Sequence, residues 1–260
     1  MLIQQKGLKR VVVSNSDPFP SVNGKGIKHL ESSGIEVDTG CLEAEGLKLN
    51  RRFFHYINYR RPYVILKWAQ TLDGFIDLER EPDDQEGPRW ISNELSRTLA
   101  HKWRSEELAI MVGTNTVITD NPSLTVRRWS GSNPVRITLD RNGRLSESAE
   151  ILDGTEDTIV FTGVQRNYSG KIQLVHADPS YEMVDVMEEL YDRQIVSVMV
   201  EGGAELHTSF LESGLWDEAR VFTGKMSFTQ GVRAPEIVEK PDERIRIGDT
   251  LLEVYMNKQV

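Results

Sequence analysis

From Tyr63 onward one texture repeats: short β-rich runs at residues 64–69, 108–112, 135–139, 158–162, 173–176, 195–200 and 219–223, with helical segments at 93–104, 184–193 and 204–213 between several of them. That alternation predicts an α/β sandwich around a central sheet. Near the end, residues 244–247 and 251–256 read as two strands joined at Gly248-Asp249, a hairpin signal. An antiparallel pair closing the sheet makes it mixed rather than purely parallel. In the segment 93–104, Leu95, Leu99 and Trp103 recur at steps of four. This predicts a buried stripe, with Ser92 as N-cap and Arg104 at the C-terminal edge.

The first sixty residues differ. A strand at 10–14, a Pro/Asn/Gly loop, a helix at 26–33 ended by Gly34 and a strand at 35–39 make one βαβ unit. One such unit has too few strands to stand alone. A helical stretch at 43–56 follows, and the basic segment 58–62, closed by Pro62, reads as a junction. The expected organisation is therefore a partial domain over 1–61 and a full one over 62–260.

Composition narrows the function. The 31 basic against 40 acidic residues give a formal charge of −9, which argues against a nucleic-acid partner. An anionic ligand must then be caught by locally placed arginines. The single cysteine, Cys41, rules out an intrachain disulfide and any multi-cysteine zinc site. His29, His55, His101, His176 and His207 share no ligand spacing, so no metal is expected. Apolar runs fall far short of the ~20 residues a membrane span needs, and the amino terminus has no apolar signal core. A cytoplasmic protein without a membrane partner is expected.

Three constellations can carry chemistry. Lys67-Trp68-Ala69-Gln70-Thr71-Leu72-Asp73-Gly74 runs from a strand into a loop, where α/β sheets place ligands; alone, Asp73-Gly74 is also ordinary turn chemistry. The block from Gly113 to Arg127 is dense in hydroxyls, with a carboxylate and an arginine, a mixture that suits either a sugar-phosphate surface or a solvated loop. Glu201-Gly202-Gly203-Ala204 ends a β-rich run before a helix, either a seat for a pyrophosphate or a tight strand-to-helix turn. The three-glycine dinucleotide fingerprint, the nucleophile elbow and the phosphate loop are absent from this sequence.

Taken in order, residues 61–74, Trp90-Ile91-Ser92, Arg104, the 113–127 block and Glu201-Gly202-Gly203 resemble the reductase domain of bifunctional riboflavin biosynthesis deaminase/reductase proteins. Upstream, Asp17-Pro18-Phe19-Pro20, Gly24-Lys25-Gly26-Ile27 and residues 49–54 resemble the last third of that family's deaminase domain. The resemblance implies a fold like dihydrofolate reductase, with a mixed central sheet and flanking helices, after a partial βαβ deaminase remnant over 1–61. It implies NADPH as hydride donor and reduction of the ribosyl group of 5-amino-6-(5-phosphoribosylamino)uracil to a ribityl group. The family's His-x-Glu motif and paired zinc cysteines are missing from this sequence, so deaminase activity is expected to be absent.

Position by position, the resemblance implies substrate contacts from Arg104, Leu124, Arg127 and Glu201, the two arginines facing the ribose phosphate. Cofactor contacts fall to Ala69, Trp90, Thr116, Asp120, Gly203 and Ala204, and polar groups near the reacting sugar to Lys67 and Asp73. Pro88 stands where the family often has a serine. A homodimer is implied as well. Two other readings compete: an idle nucleotide-binding partner of a separate deaminase, which would need none of Arg104, Arg127, Asp120 and Glu201, and a same-fold reductase of another pyrimidine or pterin.

Overall fold

A computed structural model describes residues 2–19, 21–79, 87, 89–178 and 180–258. The chain divides into two compact units, residues 1–63 and 64–260. In the first, the short helix α1 (Leu2–Gln5) precedes β1 (Arg10–Val13), which pairs in parallel with β2 (Glu36–Thr39). Parallel partners need a crossover, and α2 (Lys25–Ser32) provides it. The single helix expected at 43–56 is instead two, α3 (Glu43–Leu49) and α4 (Arg51–Tyr59). The break falls at Asn50, whose backbone leaves the helical region (φ −102°, ψ 17°) while its side-chain amide donates to the Gly46 carbonyl at 3.0 Å. An asparagine that binds nearby backbone in this way competes with helix continuation.

The second unit is built on a mixed sheet. Its strands are β3 (Tyr63–Gln70), β5 (Ala109–Gly113), β6 (Val135–Leu139), β7 (Thr158–Thr162), β8 (Ile172–His176), β9 (Ser197–Val200), β10 (Glu218–Thr223), β12 (Glu243–Ile247) and β13 (Thr250–Met256). Their spatial order is β12-β13-β10-β3-β9-β5-β6-β7-β8. The β9, β5, β6, β7 and β8 neighbours pair in parallel, as do β10 and β3; the β12–β13 hairpin adds antiparallel pairs at one edge, turning at Gly248 with φ 62°. β7 and β9 are buried along their whole length, which a parallel strand covered on both faces requires. A separate pair joins β4 (Phe75–Asp77) to β11 (Val232–Arg233).

Among the described residues four α-helices complete the unit: α5 (Glu94–Glu106), α6 (Thr114–Asp120), α7 (Met183–Asp192) and α8 (Ala204–Ser213). In α5 the expected cap and stripe are both displaced. Asn93, not Ser92, is the N-cap, its side chain accepting from the Ser96 amide at 2.9 Å, and Leu95 is 64% exposed. The buried residues are Ser96, Ala100, His101 and Trp103, so the inner face is partly polar. That polarity is explained by the cavity it lines. Among the described residues no helix is long and apolar enough to cross a membrane.

Candidate active site

The site is laid out by two strand-to-helix turns on neighbouring parallel strands. β5 runs directly into α6 at Gly113, and β9 runs through residues 201–203 into α8. Glu201 is the last residue held by the sheet, its amide donating to the Met111 carbonyl at 2.9 Å, so its carboxylate has a fixed direction. It meets Arg104 from the last turn of α5 through two parallel hydrogen bonds, Nε to Oε1 at 3.0 Å and Nη2 to Oε2 at 2.7 Å. Lys67 Nζ, from β3, lies 3.8 Å from Oε2. The side chains of Lys67, Arg104 and Glu201 are 17%, 12% and 9% exposed. Two cations therefore share one carboxylate with little water to screen them.

The electrostatics follow. Burial alone would raise Glu201, but the Arg104 and Lys67 charges outweigh it and hold the carboxyl at about 2. Burial lowers Lys67, Glu201 partly restores it, and Arg104 lowers it further. An ammonium with a depressed pKa, fixed beside a carboxylate, can give up a proton more readily than a lysine in water.

At the other turn, the Gly203 amide donates to Thr116 Oγ1 on α6 at 2.8 Å, tying the starts of the two helices together. Among the described residues no side chain caps α8. Its first amides can therefore receive an anion. The tightest position is Gly202: a Cβ there would meet Leu206 Cδ2 at 2.7 Å and Leu206 Cβ at 3.1 Å. At Gly203 a Cβ would meet only Thr116 Oγ1, at 3.4 Å. The turn is thus a cradle kept open by absent side chains, where a ligand can approach the backbone closely.

Both turns open on one cavity of about 980 Å³. This is at the upper end for a single small ligand and leaves room for two molecules side by side. Of the residues expected at the site, Lys67, Ala69, Trp90, Arg104, Thr116 and Asp120 line it, as do Leu124, Arg127, Glu201, Gly203 and Ala204. The loop after α6 is held against α5: Arg104 Nη1 donates to the Thr125 carbonyl at 3.2 Å, and the Arg127 amide donates to His101 Nδ1 at 3.2 Å. Within it, Leu124 is buried with φ 55°, a conformation a leucine adopts only when its surroundings impose it.

Asp73 does not join the others. Its carboxylate accepts from Thr71 Oγ1 at 2.5 Å and from the Phe228 and Thr229 amides at 3.1 and 2.8 Å, and it is not among the residues lining the cavity. The Thr71 hydroxyl, with those amides, lowers its pKa. Asp73 tethers a loop and belongs to the turn. Pro88 lies outside the described residues.

Two histidines packed around the site make acid sensitivity predictable. Burial, with Arg104 adding, lowers His101 to about 4; burial, with Lys67 adding, lowers His207 to about 3. The unfolded chain takes up these protons near pH 6.5, whereas the folded chain takes them up only near 4 and 3. Stability from keeping both rings neutral is full above about pH 6.5 and is lost as pH falls toward those values. The urea midpoint should therefore drop between pH 7.5 and pH 5, before the carboxylates titrate. A midpoint unchanged over that interval would contradict the burial of the two rings.

Residues not singled out in the sequence also line the cavity, among them Arg97, His101, Arg141 and Arg144. For α5 a signal existed: Arg97, His101 and Arg104 recur at helical spacing and share a face. Among the described residues no cluster of His, Cys, Asp and Glu is arranged to hold a metal.

A mixed sheet whose parallel strands end at a glycine cradle, beside a buried carboxylate bridging two cations, is the framework of an α/β enzyme that brings two ligands together. Within that class, residues 62–237 match the RibD C-terminal domain family, and the chain belongs to it. It is 37% identical over 252 residues to the riboflavin biosynthesis protein RibD of Aquifex aeolicus, covering 94% of this chain and 69% of that protein. The chain spans 65% and 58% of the RibD proteins of Bacillus amyloliquefaciens and Actinobacillus pleuropneumoniae. A Thermotoga maritima structure, a diaminohydroxyphosphoribosylaminopyrimidine deaminase/5-amino-6-(5-phosphoribosylamino)uracil reductase, superposes with a TM-score of 0.84 at 32% identity, covering 98% of this chain and 73% of that one.

Proposed function

We propose that this chain reduces the ribosyl group of 5-amino-6-(5-phosphoribosylamino)uracil to the ribityl product, using NADPH, within riboflavin biosynthesis. The observation that carries this reading is the buried group of Lys67, Glu201 and Arg104 in the same cavity as the open Gly202–Gly203 cradle. NADPH, when bound, supplies the hydride. The Ala204 amide, the open backbone at Gly203 and the Thr116 hydroxyl would hold its phosphates, Ala69, Trp90 and Asp120 would flank it, and Arg141 and Arg144, which line the same cavity, favour a cofactor with an additional phosphate.

The protein's own part is positioning and proton control. Glu201 accepts hydrogen bonds from substrate donors and holds Lys67 and Arg104 in place. Lys67 delivers a proton from Nζ to the reduced sugar or its nitrogen. Leu124 and Arg127 complete the substrate wall. Residues 62–260 form the reductase domain in this reading, and residues 1–61 correspond to the C-terminal part of the deaminase domain. With no zinc motif in this sequence, only reduction is assigned to it. We place the protein in the cytoplasm as a homodimer. Support for the reduction comes from the family match and the deaminase/reductase likeness of the Thermotoga structure.

The test is to mix the purified chain with NADPH and the phosphoribosylaminouracil and follow loss of reduced-nicotinamide absorbance. Oxidation should require the substrate, should fall when it is dephosphorylated, and should not occur with a pterin. NADPH consumption only with a pterin, or with none of these compounds, would remove the assignment.

A further inference from the structure

Behind the cavity wall, and not on it, stands a buried cation. Arg136 lies on β6 with its side chain wholly out of solvent. A guanidinium withdrawn from water needs acceptors for its five N–H groups. Nε donates to Thr158 Oγ1 on β7 at 3.0 Å. Nη2 donates to Asp153 Oδ1 at 2.8 Å and to the Glu156 carbonyl at 3.3 Å, and Nη1 to the Ser123 and Glu150 carbonyls at 3.4 and 3.3 Å. Every edge of the group is engaged, which fixes its plane.

These acceptors belong to segments far apart in the chain. Ser123 is in the loop after α6, whereas Glu150, Asp153 and Glu156 are in the connection between β6 and β7. A second bond ties the same two segments, the Glu150 amide donating to Asn121 Oδ1 at 2.8 Å. Asn121, Ser123, Leu124 and Glu150 all line the cavity. Between and just beyond the two ties the backbone is left-handed twice, at Asn121 with φ 41° and at Leu124 with φ 55°. Asparagine tolerates that region and leucine does not. At Leu124 the conformation persists because the side chain is buried and the carbonyl just before it is held by Arg136.

We propose that Arg136 is a positioning residue: by holding the Ser123 carbonyl against the 150–156 connection it fixes Leu124, and the loop running on to Arg127, as the substrate wall of the cavity. This rests on the reading of the cavity as a reductase site. The planar fork suits the task because it reaches acceptors on both segments at once, which an ammonium on a lysine stem does not.

Hydrogen exchange and kinetics on the full chain test this, with Arg136→Lys as the main variant. Exchange of amides in residues 123–127 should rise by about 10-fold or more, the lower end for losing a hydrogen bond to a charged group, while amides of β9 stay at their wild-type rates. In the assay KM for the phosphoribosylaminouracil should rise by about the same factor, with kcat changed only a few-fold and NADPH affinity at the wild-type value. Asp153→Ala, at a position 40% exposed, removes one anchor of the guanidinium and should show the same pattern at smaller amplitude; it carries the test if Arg136→Lys does not fold. Faster exchange at 123–127 in a chain without reductase activity supports the tie and removes only the reductase reading. Three results would overturn the assignment: faster exchange confined to residues 150–156, faster exchange that includes β9 and follows a lowered urea midpoint with KM unchanged, or equal losses of substrate and NADPH affinity. The second would leave Arg136 a residue of general stability.

Discussion

Glu201→Gln should give a less stable protein with turnover reduced at least ~100-fold, the lower bound for removing a positioned proton-transfer group. Glutamine keeps the volume and one acceptor oxygen. It removes the carboxylate that faces both Arg104 and Lys67 at a site where all three side chains are less than 20% exposed. Removing one member of a buried ionic group leaves the others uncompensated, at a cost of roughly 3–5 kcal/mol. Part of this is recovered as Lys67 loses its proton, and that loss also disables it as a proton donor. Wild type carries stability from the Glu201 shift above about pH 4.5, and loses it as pH falls toward about 2. In Glu201→Gln that acid limb should be missing, while the loss between pH 7.5 and 5 from the histidines remains. Denaturant titrations at pH 7.5, 5 and 3 with single-turnover assays read all three effects. A stability loss below ~1 kcal/mol at pH 7 with normal turnover would mean that the carboxylate is dispensable.

The other large effect is expected at Gly202, not at the glycine beside it. Gly202→Val places a branched side chain where even a Cβ would sit 3.1 Å from Leu206 Cβ, close to the backbone of α8 and unable to swing aside. Either α8 shifts or the turn opens, and both displace the amides proposed to hold the cofactor phosphates. Overpacking of this kind costs roughly 1–3 kcal/mol. NADPH affinity should fall by about 10-fold or more. Gly203→Ala meets only a hydroxyl oxygen at 3.4 Å and should change it much less. Fluorescence titration of NADPH into the two variants decides this, and equal affinities would remove the cradle from the cofactor site.

The alternation of strands and helices, the closing hairpin at Gly248-Asp249, and the strand-turn-helix at Glu201-Gly202-Gly203 were all readable before the structure. They depend on side-chain periodicity and on turn conformations a few residues long. Local reading failed where distant contacts overrode it. Residues 114–120 form α6 although TNTVITD is rich in residues that disfavour helix. Leu95 points to solvent because the inner face of α5 is set by the cavity, not by the most apolar stripe.

The sequence by itself thus determined the class of fold, the family and most of the residues that gather at the site. Only the tertiary structure decided how they divide their work. Arg104 and Arg97 lie on one helix and look interchangeable as cations. Arg104 is engaged by a carboxylate 97 positions away, while among the described residues Arg97 lies over the Trp90 ring. Asp73 reads as a site residue beside Lys67 until its carboxylate is found holding amides 155 and 156 residues further on. A charge's role is set by what shares its desolvated surroundings, and those partners come together only when the sheet assembles.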